Sequence, residues 1–232
     1  MAKKILLYDA TVGQLPSEQP WLTYFADGTF NQQVVTDGVW LQTNLGNHAG
    51  FSNYYVLTKL LENPFFPSLN KDQGVSLQFE LQLYSENHNT ADRAGFSVIL
   101  LDSNRQGVEI SFWEDEIWAQ RDAPLFTHGE SVDFVTTGSM KSYRLTLNTD
   151  SYSLYEGGKQ ILTGTIKDYT SFSGSLDPYE FPNFLFLGDN TTSAMAEVIL
   201  GTVLLQSDTQ LESAFPWSLF LPSFTGAVDL SP

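Results

Sequence analysis

The chain has 232 residues, with 11 lysines and arginines against 27 aspartates and glutamates, so its net charge at neutral pH is −16. Nucleic acid and anionic membrane surfaces are poor partners for such a chain, and the absence of cysteine excludes disulfides, thiolate metal sites and cysteine nucleophiles. Aromatic residues make up 14% of the sequence, too many for a disordered chain, and no apolar run reaches membrane-spanning length, so no membrane insertion is expected.

Strand signals then recur at short intervals with turn residues between them. Residues 5–8 form the first, and Asp9 ends that apolar run. The basic start therefore lacks the apolar core of a secretory leader. The protein is expected to be soluble, cytoplasmic if this start is native and secreted if a leader has been removed. Residues 33–36 and 39–43 flank Asp37 and Gly38, a dipeptide that suits a two-residue type I′ turn with positive φ at both positions. Over 53–62, Leu57, Leu60 and Leu61 precede a stop at Asn63 and Pro64; the segment reads as a short helix or as a strand plus a loop. Residues 75–84 alternate, with Val75, Leu77, Phe79, Leu81 and Leu83 on one face. Further strands are predicted at 96–101, 132–136, 143–148, 151–155, 160–166, 184–187 and 197–206.

The stretch 108–121 carries the most chemistry. Val108, Ile110 and Phe112 alternate with Glu109, Ser111 and Trp113; after Glu114 and Asp115, Ile117 and Ala119 alternate with Glu116, Trp118 and Gln120. A two-residue turn at 114–115 pairs Trp113 with Glu116, Ser111 with Trp118 and Glu109 with Gln120. One face is then apolar and closes a core. The other carries two indoles among carboxylates, an amide and a hydroxyl, which suits a sugar or another small ligand. Such a face also packs under a loop or a terminal segment.

About a dozen antiparallel strands and little helix predict an all-β fold, an antiparallel two-sheet β-sandwich or barrel. One domain is expected over 1–210. Residues 211–232, with Phe215, Trp217 and Phe220, form an apolar tail packed on it, along the domain or over the tryptophan face. The runs 79–81, 94–102 and 107–112, the pair 143–147 and 152–155, and Phe186-Leu187-Gly188-Asp189 resemble the laminin-G-like members of the concanavalin A-like lectin and glucanase jelly rolls. The resemblance covers 75–205 and implies a jelly roll.

The same scaffold hosts family-16 glycoside hydrolases. Glu109-Ile110-Ser111-Phe112-Trp113-Glu114 resembles their catalytic strand, with Ser111 where the middle aspartate belongs. Glu109 and Glu116 share a face roughly 13 Å apart, too far for hydrolytic pairs at about 5–9.5 Å. The favoured reading is a non-catalytic carbohydrate-recognition module, with Trp113 and Trp118 as stacking platforms and Glu109, Ser111, Glu116 and Gln120 as hydroxyl partners. The alternative is an enzyme on this scaffold, either a polysaccharide hydrolase or lyase or a small-molecule cyclase or isomerase. The partner is thus a glycan or small-molecule ligand. Two loops admit one calcium ion, first at Asp189 with Asn190 and then at Asp102 with Asn104, although the bidentate glutamate of a calcium loop is missing. His48, His88 and His128 sit in separate polar loops, so a zinc site has to be assembled from distant segments.

Overall fold

The computed structural model describes residues 3–56, 60–174 and 177–207. The strands in chain order are β1 Lys3–Tyr8, β2 Thr23–Ala26, β3 Asn31–Val35, β4 Gly38–Gln42, β5 Ala49–Ser52, β6 Tyr54–Val56, β7 Leu60–Glu62, β8 Val75–His88 and β9 Ser97–Leu101. They continue as β10 Gln106–Phe112, β11 Glu116–Asp122, β12 Leu125–Asp133, β13 Lys141–Asn148, β14 Ser151–Glu156, β15 Lys159–Thr165, β16 Lys167–Asp168, β17 Leu185–Asp189 and β18 Ala194–Ser207. Most predicted strands are realised; the one expected at 132–136 instead runs Leu125–Asp133, and β2 and β5 are additional.

Two antiparallel sheets form a jelly-roll sandwich. The first has the order β15-β14-β13-β8-β18-β4-β3, and the second β12-β11-β10-β9-β17-β5-β2. The long strand β18 pairs with β8 on one side and shares its other side between β4, at Glu197–Leu200, and β1, at Val203–Ser207. The apolar face of β8 is buried as predicted, with Leu77 and Leu83 fully so. Phe112 joins the two sheets at the centre of the core. Its ring meets Tyr143 at 5.3 Å and Phe79 and Phe96 at 6.0 Å. Burying each such ring stabilises the fold by about 1.5–3 kcal/mol.

Two local expectations are corrected. Val35 pairs with Gly38 and Val34 with Val39, so the β3–β4 turn is Thr36-Asp37, one residue early. Gly38 has φ of 148°, and a Cβ there would lie 2.1 Å from the Leu200 carbonyl oxygen. The glycine serves a close approach to β18, not a type I′ turn. For 53–62 the helical alternative gives way to the extended one among the described residues: β6 and β7 pair antiparallel, and Tyr54 packs with Phe181 and Phe184. The tail at 211–232 lies outside the described residues. No helix among the described residues is long and apolar enough to cross a membrane.

The central strands of the second sheet are buried on both faces. An antiparallel sheet commonly leaves one face to solvent. Here the outer face supports a second apolar cluster that includes Phe25, Ile99, Tyr169, Tyr179, Phe184 and Phe186. This second layer frames the candidate site.

Candidate functional site

β10 and β11 pair Phe112 with Ile117, Ser111 with Trp118 and Ile110 with Ala119, and the Trp113 amide donates to the Glu116 carbonyl at 2.9 Å. This is the register that the alternation predicts. Its inner face, with Val108, Ile110 and Phe112, is fully buried between the sheets. The outer face is covered too: Trp118 is 0% exposed, and Glu109, Ser111 and Gln120 are buried beside it.

The cover is the loop 89–95. Trp113 Nε1 donates to the Arg93 carbonyl at 2.8 Å, Gln120 Nε2 to the Asp92 carbonyl at 3.0 Å, and the His128 amide to the Asp92 carboxylate at 2.7 Å. The Gly95 amide donates to Glu86 at 3.0 Å, and a Cβ on Gly95 would lie 2.1 Å from the Met195 carbonyl carbon. Glycine alone lets the loop pass so close to β18.

Two imidazoles complete the layer. His88 lies flat on Trp113 at 4.1 Å, His128 lies flat on Trp118 at 4.2 Å, and the indoles meet edge to face at 5.5 Å. His88 ends β8 and His128 lies within β12, so neither sits in the separate polar loop expected for it. His88 Nδ1 pairs with Glu86 at 2.7 Å, and His128 Nε2 with Glu116 at 3.3 Å. The open platforms expected at Trp113 and Trp118 are therefore corrected. Trp118 has no surface left for a ligand, and Trp113 has one face under His88 and its N–H on Arg93. Ser111 lies buried under the same cover, and Glu116 is held by His128.

One step along the hairpin the two strands part. The β10–β11 ladder spans Ile110–Phe112, and beyond it the Tyr169 side chain enters. The Glu109 amide donates to the Tyr169 hydroxyl at 3.1 Å, which donates to the Gln120 carbonyl at 2.8 Å. β16 brings Tyr169 there by pairing with β10 at Gln106 and Gly107.

Beside this wedge lies a cavity of about 220 Å3. Glu109, Gln120, Tyr179, Asn190, Arg93 and His48 give it polar groups, while Phe126 and Phe172 form an apolar wall. Tyr179 donates to the Glu109 carboxylate and accepts from Asn190 Nδ2 at 2.8 Å. Burial pushes the Glu109 carboxyl above its ordinary value, against the opposing Tyr179 hydrogen bond and Arg93 charge. Burial also raises the Tyr179 phenol, and the charge of Glu109 adds to the effect. The phenol thus keeps its proton and donates a hydrogen bond to Glu109. Gln120 spends Nε2 on the loop, and its buried Oε1 has no partner among the described residues. Such an atom calls for a donor from water or a ligand.

Arg93 is fixed rather than free. Its Nη1 donates to the Asp92 carbonyl at 2.6 Å and the Phe126 carbonyl at 2.7 Å, and its guanidinium lies 5.5 Å over the Phe126 ring. Phe126 holds φ of 54°, an uncommon conformation for an aromatic residue. His48 is paired with Asp27 at 2.5 Å. Among the described residues Glu109 is the only carboxylate lining the cavity, so hydrolysis by two carboxylates lacks a second partner there.

At the first loop expected to hold calcium, one Asp189 oxygen accepts the Thr191 amide at 3.0 Å, while Asn190 is turned to Tyr179. Burial pushes the Asp189 carboxyl up to about 8. At the other, one Asp102 oxygen accepts the amides of Asn104 and Gln106 at 2.8 and 3.1 Å. No group of three or more His, Asp or Glu among the described residues is placed to hold a metal ion.

The hairpin thus brings two of its predicted residues, Glu109 and Gln120, to the cavity. Tyr179, Arg93, Phe126 and His48 come from remote segments with no period to announce them. Of these the sequence singles out only His48, as a candidate zinc ligand and not as part of this cavity.

No family model and no curated protein matches the sequence. Solved structures match by shape. A carbohydrate esterase from Shiga toxin-encoding bacteriophage phi24B superposes with a TM-score of 0.57 at 11% identity, covering 89% of this chain and 100% of that one. The apo form of Crh5 transglycosylase gives 0.53 at 11% identity, covering 90% and 85%. A Bacillus subtilis protein with a galectin-like fold gives 0.50 at 7% identity, covering 89% and 98%. Likeness at these identities establishes the jelly-roll fold.

Proposed function

We propose that the chain is a carbohydrate-recognition module whose binding site is the cavity beside Glu109. The observation that carries the reading is an apolar wall, Phe126 with Phe172, lining the same small cavity as a bank of hydrogen-bonding groups that includes Glu109, Tyr179 and Asn190. A pyranose offers the matching pair of surfaces, C–H groups for the apolar wall and hydroxyls for the polar bank. The volume of about 220 Å3 is below the roughly 300–1,000 Å3 usual for drug-sized ligands, so it suits one sugar ring rather than a run of them. The polar groups are already held by neighbours, which lowers the ordering cost of binding. In this reading Trp113, Trp118, Ser111 and Glu116 support the loop 89–95 and do not touch the sugar. The names of two structural neighbours, an esterase and a transglycosylase, are in keeping with carbohydrate chemistry on this scaffold.

The second reading, an enzyme at the same cavity, is favoured by the Tyr179–Glu109 pair. A buried carboxyl raised by its surroundings and held by a phenol is the kind of group that serves as a general acid or base, with Tyr179 positioning it. A glycan array tests the first reading: the parent binds and Phe126→Ala loses most of the signal, whereas an array without hits removes it. Recovering the bound oligosaccharide after prolonged incubation separates the two. Intact sugar supports recognition; cleaved sugar, with cleavage lost in Tyr179→Phe, supports the enzyme.

A further inference from the structure

We infer that the cavity selects an uncharged sugar ring and discriminates against uronic acids. This rests on the carbohydrate reading above and names the ligand class of that site. The argument is a charge inventory. Two basic side chains line the cavity, Arg93 and His48, and hydrogen bonds already engage both. The Nη1 donors of Arg93 are spent on the Asp92 and Phe126 carbonyls at 2.6 and 2.7 Å, and its charge acts on the buried Glu109. His48 is engaged by the Asp27 carboxylate at 2.5 Å. A sugar carboxylate is best bound by a free guanidinium fork, and the Nη1 side of this one is closed.

The remaining polar lining includes Gln120, Tyr179, Asn190, Thr191 and Thr192, which are uncharged. The surroundings are acidic as well. Glu86 and Asp27 both act electrostatically on Asp189, next in sequence to Asn190, and the whole chain carries −16. The same burial that raises the Glu109 carboxyl disfavours a sugar carboxylate placed beside it.

The test is calorimetric titration of the full chain with two matched sets of oligosaccharides. One set is neutral, from glucan, mannan, galactan and xylan. The other is acidic, from alginate and polygalacturonate. The inference expects at least one neutral set member to bind at least tenfold more tightly than any acidic one, with Phe126→Ala weakening that binding at least tenfold. Acidic oligomers that bind as well as or better than neutral ones overturn the selectivity while leaving the glycan reading intact. Neutral binding that Phe126→Ala leaves unchanged places the sugar elsewhere and overturns the assignment to this cavity. No binding by either set removes the glycan reading itself, and the selectivity with it.

Discussion

Two hairpins of this molecule look alike as sequence and end in different surroundings. β13 and β14 pair around the Thr149-Asp150 turn, with Tyr143, Leu145, Leu147, Tyr152 and Leu154 buried and Arg144, Thr146, Ser153 and Tyr155 left partly open. Arg144 lies 4.1 Å over the Tyr155 ring on that open face. β10 and β11 pair around Glu114-Asp115 with the same alternation, yet on their second face Glu109, Ser111, Trp118 and Gln120 are buried as well, and only Trp113 and Glu116 near the turn are partly open. The difference lies in what crosses the sheet. Among the described residues no remote loop is hydrogen-bonded to the side chains of the open β13–β14 face, whereas the loop 89–95 is pinned to β10–β11 and β12 by Trp113, Gln120 and His128. Alternation sets register and decides which residues share a face. Whether that face stays open is decided by segments elsewhere in the chain.

The largest test of this contrast is a pair of truncations. Trp118→Ala should cost about 3–5 kcal/mol in denaturant unfolding, as for other fully buried rings, while Tyr155→Ala on the open face should cost about 1 kcal/mol or less. Equal losses would mean that the two faces are not covered differently. Tyr169→Phe comes next. It removes the hydroxyl bridging the Glu109 amide and the Gln120 carbonyl, leaving two buried groups unpaired, for about 1–3 kcal/mol. Gly95→Ala should cost about as much, by driving the loop off β18. It should also red-shift tryptophan emission as Trp113 gains solvent; an unshifted spectrum would show the cover does not depend on that approach.

A smaller effect separates the two faces by pH. Asp189, buried on the covered sheet, has its carboxyl pushed up to about 8 by burial, against about 3.9 in an unfolded chain. Between those values the folded protein holds a proton that the unfolded chain has released. Stability contributed at low pH is therefore lost as pH rises through the window. Glu86 and Glu109, also raised by burial, act in the same direction. Relative to Asp189→Asn, the parent should lose at least about 1 kcal/mol between roughly pH 5 and pH 8. Parallel stability curves would contradict the burial of that carboxyl. The smallest expected effect is from calcium. One Asp102 oxygen is taken by two amides and one Asp189 oxygen by a third, so melting temperature in EDTA and in millimolar calcium should agree within about 1 °C. A clear rise with calcium would restore those loops as a metal site.

The sandwich itself was legible because its first sheet obeys period two: Val75 to Leu83 point inward in turn, and so do Tyr143, Leu145 and Leu147. The β10–β11 register was legible for the same reason. Glu109 and Gln120 could be picked out, since they share the polar face. Their partners could not. Tyr179 arrives from the turn Pro178–Glu180, Phe126 from the start of β12 and Asn190 from the end of β17, separated from Glu109 by 70, 17 and 81 positions in a chain with no local rule linking them. The stacking of His88 and His128 on the indoles was hidden too. An imidazole near polar neighbours reads as loop, and only tertiary pairing of β8 and β12 around the hairpin brings both rings onto the tryptophans. The shift of the β3–β4 turn has a similar cause, because Gly38 answers to the Leu200 carbonyl across the sheet.

The central claim is that the ligand enters the cavity at the parting of β10 and β11 and leaves the tryptophans untouched. A crystal structure of the chain with the strongest neutral oligosaccharide from the array tests it most directly. The account predicts one sugar ring against the Phe126–Phe172 wall, its hydroxyls on polar lining groups such as Asn190, and His88 and His128 still flat on Trp113 and Trp118. A sugar stacked on either indole, with its histidine displaced and the cavity filled only by water, would contradict it.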